Sequence, residues 1–171
     1  MKKKIVCIDL FSGAGGLTEG FTNDSFDIVA HIEKDSDACL TLKTRLSYHY
    51  LKKQNKLDYY KKYLQKKITR DQLYNAVPHE ILESVIKDEI SSESFKPISE
   101  EISINLDNDK VDLIFGGPPC QAYSLMGRAR DKNSMRKDKR KYLYLEYIKY
   151  LKKFKPKYFV FENVIIFYVK N

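Results

Sequence analysis

The sequence has little cysteine, and what it has is scattered. Cys7, Cys39 and Cys120 form no CxxC pair and no Cys/His cluster, which excludes a disulfide framework and a zinc site. No stretch approaches the roughly 18–20 uninterrupted apolar residues of a membrane span, and the lysine-rich start lacks the apolar run and small-residue cleavage site of a secretory signal. Internal repeats and low-complexity tracts are absent as well. Together these absences predict a cytoplasmic protein that uses neither membrane nor metal. Full disorder is excluded by what is abundant: 13 tyrosines and 9 phenylalanines in 171 residues are more aromatic surface than an unpacked chain carries. The length suits one domain.

Positive charge is concentrated. The formal net charge is +8, but residues 43–74 hold ten Lys/Arg against Asp58 and Asp71, and residues 126–157 hold thirteen against three acids. Such blocks either are the solvated faces of lysine-rich helices or fit a polyanionic partner.

Short apolar runs alternate with helical patterns. Lys4–Asp9, Ile28–Ile32, Val111–Phe115 and Tyr158–Phe161 read as four strands. Asp35 is placed to cap a helix through Leu42 and Leu46, and Thr69 with Gln72 forms a capping box. Pro78 and Glu80 open an apolar-periodic stretch through Ile81, Leu82, Val85 and Ile86, residues 91–108 look loop-rich, and a last helix carries Leu143, Tyr147, Ile148 and Leu151. The alternation predicts an α/β fold with a parallel sheet and right-handed crossovers, so ligand sites should gather at the carboxyl ends of the strands.

Those ends are chemically distinctive. The first, DLFSGAGG at 9–16, lets a ligand approach the backbone at Gly13, Gly15 and Gly16. Thr18 stands where a third glycine would complete GxGxxG, which favours a mononucleoside over a nicotinamide dinucleotide. Glu33, ending the second strand, could accept hydrogen bonds from two ribose hydroxyls. In GGPPCQAYS at 116–124, Pro118 and Pro119 fix φ and hold Cys120 on a rigid turn, a setting for a nucleophilic thiolate. Glu162 ends the fourth strand and could pair with a base's ring nitrogen and exocyclic amine. Each feature also has a plain structural alternative: a ligand-free turn, a solvated loop acid, a salt-bridged Glu162 beside a helix-capping Asn163.

Taken in order, DLFSGAGG, GGPPCQAYS and ENV at 162–164 resemble the motifs of the C5-cytosine DNA methyltransferases. The resemblance covers nearly the whole chain apart from residues 47–98, which look like a family-variable helical insert. It implies an S-adenosylmethionine-dependent, Rossmann-like fold and methyl transfer to C5 of cytosine in double-stranded DNA, within a restriction-modification system. Carried over, Phe11 stacks on the adenine, Ser12, Gly13, Ala14, Gly15 and Gly16 wrap the methionine part, and Glu33 binds the ribose. Pro119 and Leu143 complete the cofactor contacts, while Glu101–Ile102 sits near the family's Asp-Ile at the adenine amine. Cys120 is the nucleophile toward C6 and Glu162 holds N3, the base being flipped out of the duplex. Gln121, Ser124, Arg128, Arg130 and Arg140, in and beside a basic loop, are placed against DNA.

Family members continue well past ENV, with recognition and late cofactor motifs that residues 1–171 do not contain. The expectation is therefore a partial catalytic domain that needs a second polypeptide for target recognition. The alternatives are an inactive truncated fragment, a nucleic-acid-binding module with an unused active site, and, within the family, an RNA cytosine methyltransferase.

Overall fold

A computed structural model describes residues 3–107, 109–119 and 142–163. Five parallel strands form one sheet in the order β3-β2-β1-β4-β5: β1 is Ile5–Leu10, β2 Phe26–Glu33, β3 Val85–Lys87, β4 Leu113–Gly116 and β5 Tyr158–Phe161. The chain moves outward through β1, β2 and β3, then returns to the other side of β1 for β4. That reversal leaves a crevice at the carboxyl ends of β1 and β4, where open parallel sheets bind ligands. The expected α/β architecture with a parallel sheet is what the chain adopts.

Helices cover both faces. On one side α5 (Phe95–Asn105) and α6 (Leu143–Phe154) deliver Ile98, Ile102, Tyr147 and Tyr150 onto Ile8, Leu10, Ala30, Ile32 and Ile114 of the strands. On the other, α1 (Ser36–Lys53) packs Cys39 and Leu42 against Val85. Nearby, Phe21 and Phe26 pack with Cys7, Leu113 and Phe115. Asp35 caps α1 as expected, its side chain accepting from the Ala38 N–H at 2.8 Å. The capping box closes too, with Thr69 N–H to Gln72 at 2.8 Å and Gln72 N–H to Thr69 at 3.2 Å. The far end of α1, with α2 (Leu57–Leu64), α3 (Arg70–Tyr74) and α4 (His79–Glu83), builds a separate small core on Leu51, Leu73, Val77 and Leu82.

Two expectations are corrected. The stretch from Pro78 to Ile86 is not one helix: α4 stops at Glu83, and Val85–Lys87 join the sheet as β3, paired with His31–Glu33. A fifth strand thus lies inside residues 47–98, which are not wholly helical. Residues 91–108 are not loop-rich either, because Phe95, Ile98 and Ile102 recur on one face of α5 and pack on the sheet.

A bulge in β2 matters to the site. Cys7 is opposite Ile28 but Ile8 is opposite Ala30, so Val29 is the extra residue and His31 comes opposite Asp9. Both side chains are about 1 % exposed. Asp9 Oδ2 accepts from Thr18 Oγ1 at 2.6 Å and lies 3.0 Å from His31 Nδ1, a contact an ionised carboxylate makes only with an Nδ1–H. The strand-end acid is thus an internal anchor between β1, β2 and the short 3₁₀ turn at Thr18–Phe21.

At the opposite end of the sheet, Asp112 ties three strands together. Its Oδ2 accepts from the Val6 N–H at 3.2 Å and its Oδ1 from Lys157 Nζ at 2.8 Å. The Lys157 hydrogen bond, followed by the Val6 N–H, holds the Asp112 carboxyl below its ordinary 3.8. A carboxyl depressed in the folded state stabilises above its unfolded pKa, and that contribution disappears as the pH falls through the lower folded value. Asp112→Ala is expected to cost about 1–2 kcal/mol at neutral pH. In urea melts, the gap from wild type should narrow below pH 3.8; a gap that stays constant down to pH 2 would contradict the role of the ionised carboxylate.

Candidate active site

At the carboxyl end of β1 the chain turns through Phe11, Gly13 and Gly15 with φ of 58°, 54° and 86°. For glycine these values cost little, but for a phenylalanine the left-handed region costs roughly 1–2 kcal/mol. The turn is held by its neighbours. The Ser12 N–H donates to Ile32 O at 3.0 Å, Ser12 Oγ to Asp9 O at 3.0 Å, and the Gly15 N–H back to Ser12 O at 3.0 Å. Glu33 clamps it from β2, its Oε2 accepting from the Gly13 N–H at 2.9 Å and its Oε1 from the Asp35 N–H at 2.8 Å. Each carboxylate oxygen keeps a lone pair for a ligand.

A cavity of about 240 Å³ opens beside this turn, lined by Phe11, Gly13, Glu33, Pro119 and Leu143 among others. Five residues singled out for cofactor contact, from four separate stretches of sequence, therefore share one cavity. Ser12, Ala14, Gly15 and Gly16 do not line it: Ser12 and Gly15 are buried in the turn, and Ala14 and Gly16 face outward. The volume is near the lower end of small-molecule sites, roughly 300–1,000 Å³, and suits a nucleoside. A wider cleft of about 970 Å³ runs along the amino-terminal half of β2 beside Phe26, Asp27 and His49, away from the strand carboxyl ends.

Besides Ile32, Lys34 and Gly117, the cavity is lined by a stretch not expected from the sequence, Asp88, Glu89 and Ile90, directly after β3. After β3 the acids lining it are Asp88 and Glu89, whereas Glu101 does not line it and sits on α5 with its carboxyl raised by partial burial and by Asp88 and Glu83 nearby. Two adjacent β-branched residues, Val85 and Ile86, followed by Lys87 and two acids were the available signal.

Glu162 reaches the same crevice from β5. Its N–H donates to Gly116 O at 3.1 Å, and a Cβ on Gly117 would lie 2.6 Å from Glu162 Oε2. Because Gly117 also lines the cavity, the Glu162 carboxylate and the glycine-turn pocket are separated by a single residue of backbone. Gly116 has φ of 141°, and a Cβ there would overlap the Leu10 carbonyl. The two glycines let β4 run hard against β1 on one side and Glu162 on the other. Cys120, Gln121, Ser124, Arg128, Arg130 and Arg140 lie outside the described residues.

Among the described residues no helix is long and apolar enough to cross a membrane. Comparison with known proteins agrees with this geometry. The profile of C-5 cytosine-specific DNA methylases matches residues 5–78 and 79–168. The chain is 43 % identical over 180 residues to the type II methyltransferase M.Bpa9945I of Bacillus paralicheniformis, a match covering 94 % of this chain and 40 % of that protein. It is 30 % identical to M.AquIA of Picosynechococcus sp., over 96 % of this chain and 49 % of that one. A crystal structure of a candidate DNA modification methyltransferase encoded within an E. coli prophage shares the fold, with a TM-score of 0.53 at 22 % identity over 94 % of this chain and 32 % of that one. The chain thus spans less than half the length of these relatives. With its profile match running from the first strand past Glu162, the chain belongs to the C-5 cytosine-specific DNA methylase family.

Proposed function

We propose that this chain is the cofactor-binding and catalytic portion of a DNA (cytosine-5-)-methyltransferase that uses S-adenosylmethionine, within a restriction-modification system. The observation that carries this reading is the convergence of Phe11, Gly13, Glu33, Pro119 and Leu143 on one cavity, with Glu162 against Gly117 at its side. Residues 1–171 then form part of a catalytic domain, with α2–α4 as its variable addition.

In this reading Phe11 stacks on the adenine, Asp88 accepts from its exocyclic amine, Glu33 takes the ribose hydroxyls, and the turn from Ser12 to Gly16 follows the methionine part. When bound, S-adenosylmethionine supplies an electrophilic methyl group. The chain's own residues make cytosine C5 able to use it. Cys120 thiolate adds to C6 while Glu162 donates to N3, moving electron density to C5. After transfer, the C5 proton passes to a base such as water, the C6–S bond breaks to release the Cys120 thiolate, and the N3 proton returns to Glu162, restoring the aromatic ring. Pro119 and Gly117 set the approach between nucleophile and acid. Duplex DNA is the substrate, and its cytosine must leave the stack to reach these groups; Gln121, Ser124, Arg128, Arg130 and Arg140 would meet the strand.

Further polypeptide, in the same chain or a second one, completes the enzyme. Supporting this, β5, the outer strand of the sheet among the described residues, exposes Tyr158, Phe159, Val160 and Phe161 at 69, 60, 41 and 37 %, a run that an unpaired edge normally avoids. Tritiated methyl transfer from S-adenosylmethionine to duplex DNA is the test. Residues 1–171 alone are expected to give none, and adding a polypeptide with the missing motifs, encoded nearby, should restore it. Robust transfer by residues 1–171 alone overturns the need for a completing part. Failure with every such addition, despite cofactor binding in calorimetry, makes the chain an inactive fragment.

A further inference from the structure

α1 begins three residues after Glu33 and, at 18 residues, is about 27 Å long. Its end and α2 therefore sit at the pole of the sheet opposite the cofactor cavity. The small core on Leu51, Leu73, Val77 and Leu82 fixes this corner rigidly against the domain. Around it Lys52, Lys56, Lys62, Lys66, Lys67 and Arg70 are all exposed, and among the described residues none forms an ion pair with an acid. Neighbouring lysines do find acids: Lys61 meets Asp58 at 3.3 Å and Lys53 meets Asp24 at 2.5 Å. Lys52 and Lys62 instead lie over the rings of Tyr48 and Tyr59, at 5.9 and 5.6 Å.

A face evolved only for solubility mixes both signs. Here six unpaired cations fall within 19 residues whose one acid, Asp58, is matched to Lys61. Such a corner carries a sustained positive potential at some cost in self-repulsion. Five of the six are lysines, point charges suited to single phosphate oxygens rather than to the two-pronged carboxylate recognition at which arginine excels. We propose that the α1–α2 corner is a second, sequence-independent phosphate-binding surface that holds duplex DNA away from the catalytic crevice. The choice of DNA over other polyanions rests on the methyltransferase reading, which brings duplex to this protein. With about 27 Å between corner and cavity, the bound segment is flanking or separate DNA, not the base pair being modified. The surface raises the residence of the protein on DNA without reading bases.

Fluorescence anisotropy with residues 1–171 and a 20-base-pair duplex tests this over a salt series. The variant K56Q/K62Q/K66Q/K67Q should bind at least tenfold more weakly at low salt. Its slope of log affinity against log salt should be shallower by about 2–4, at roughly 0.9 per lost phosphate contact. The comparator K96Q/K110Q/K152Q/K153Q removes the same charge from exposed positions elsewhere and should change the slope by less than about 1. Equal losses in the two variants would reduce the effect to net charge and overturn the proposal, as would an unchanged slope in the first. Displacement of the duplex by polyglutamate at matched charge would also overturn it, in favour of an acidic protein partner. Methyl transfer with the completing polypeptide, assayed separately on a short duplex, reports on the enzymatic reading independently of these outcomes.

Discussion

Cys120→Ala is expected to abolish methyl transfer, by a factor on the order of 10⁴–10⁶, while leaving cofactor affinity within about twofold. No neighbouring thiol can substitute. Cys7 is fully buried in the sheet and its thiol is pushed up to about 12, burial being the main cause. Cys39 is buried under α1 and raised as well, first by burial and then by the Glu33 charge. At pH 8 neither supplies useful thiolate, so native alkylation by iodoacetamide should label Cys120 alone. A duplex carrying 5-fluorocytosine supplies the covalent readout: fluorine at C5 cannot leave as a proton does, so the C6 adduct persists through a denaturing gel. Wild type completed by its missing part should show that adduct and Cys120→Ala should not. Retention of the adduct in the variant would remove Cys120 from the chemistry, and loss of cofactor binding along with activity would make its role structural.

The strand ends were legible because their signals are local. Glycine pairs, a proline pair and a single acid each constrain the backbone wherever they occur, and the parallel-sheet rule then gathers them without knowledge of any contact. The failures share the opposite property. β3 is three residues long, and Ile81, Leu82, Val85 and Ile86 have helical spacing, so only pairing with His31–Glu33 reveals the strand. Missing β3 also hid Asp88 and Glu89 directly behind it, which line the cavity that Glu101 does not reach. α5 went unread because serines and glutamates outnumber the apolar face of Phe95, Ile98 and Ile102. The anchor at Asp9 depends on a bulge at Val29 that brings His31 into register, and no local pattern announces a bulge of that kind. The basic block at 43–74 was visible as charge, but which cations lack partners depends on where Asp24 and Asp58 fall in three dimensions.

Alanine at the two adjacent glycines should separate folding from catalysis. At Gly116 the left-handed φ of 141° strains any side chain, and the added carbon overlaps the Leu10 carbonyl. Both residues belong to paired central strands, Leu10 opposite Gly116, so neither backbone can yield without breaking the sheet where the glycine turn begins. A loss of more than about 4 kcal/mol follows, a large fraction of the roughly 5–15 kcal/mol that typically holds a domain together. Gly116→Ala should accordingly melt far below wild type or fail to accumulate as folded protein. Gly117 has no such φ restriction. Its added carbon overlaps Glu162, at the backbone carbonyl and at 2.6 Å from Oε2, so the backbone at the end of β5, the outer strand among the described residues, has to move to admit it. Gly117→Ala should therefore still fold, at a cost of about 2–3 kcal/mol of stability. Methyl transfer by the completed enzyme should fall about 10²-fold, the size of penalty a displaced catalytic group brings. The decisive comparison is with Glu162→Gln. If Glu162 is the group that Gly117→Ala displaces, the double variant should be little worse than Glu162→Gln alone. Fully multiplicative losses would mean that Gly117 acts through the turn carrying Cys120 rather than through Glu162.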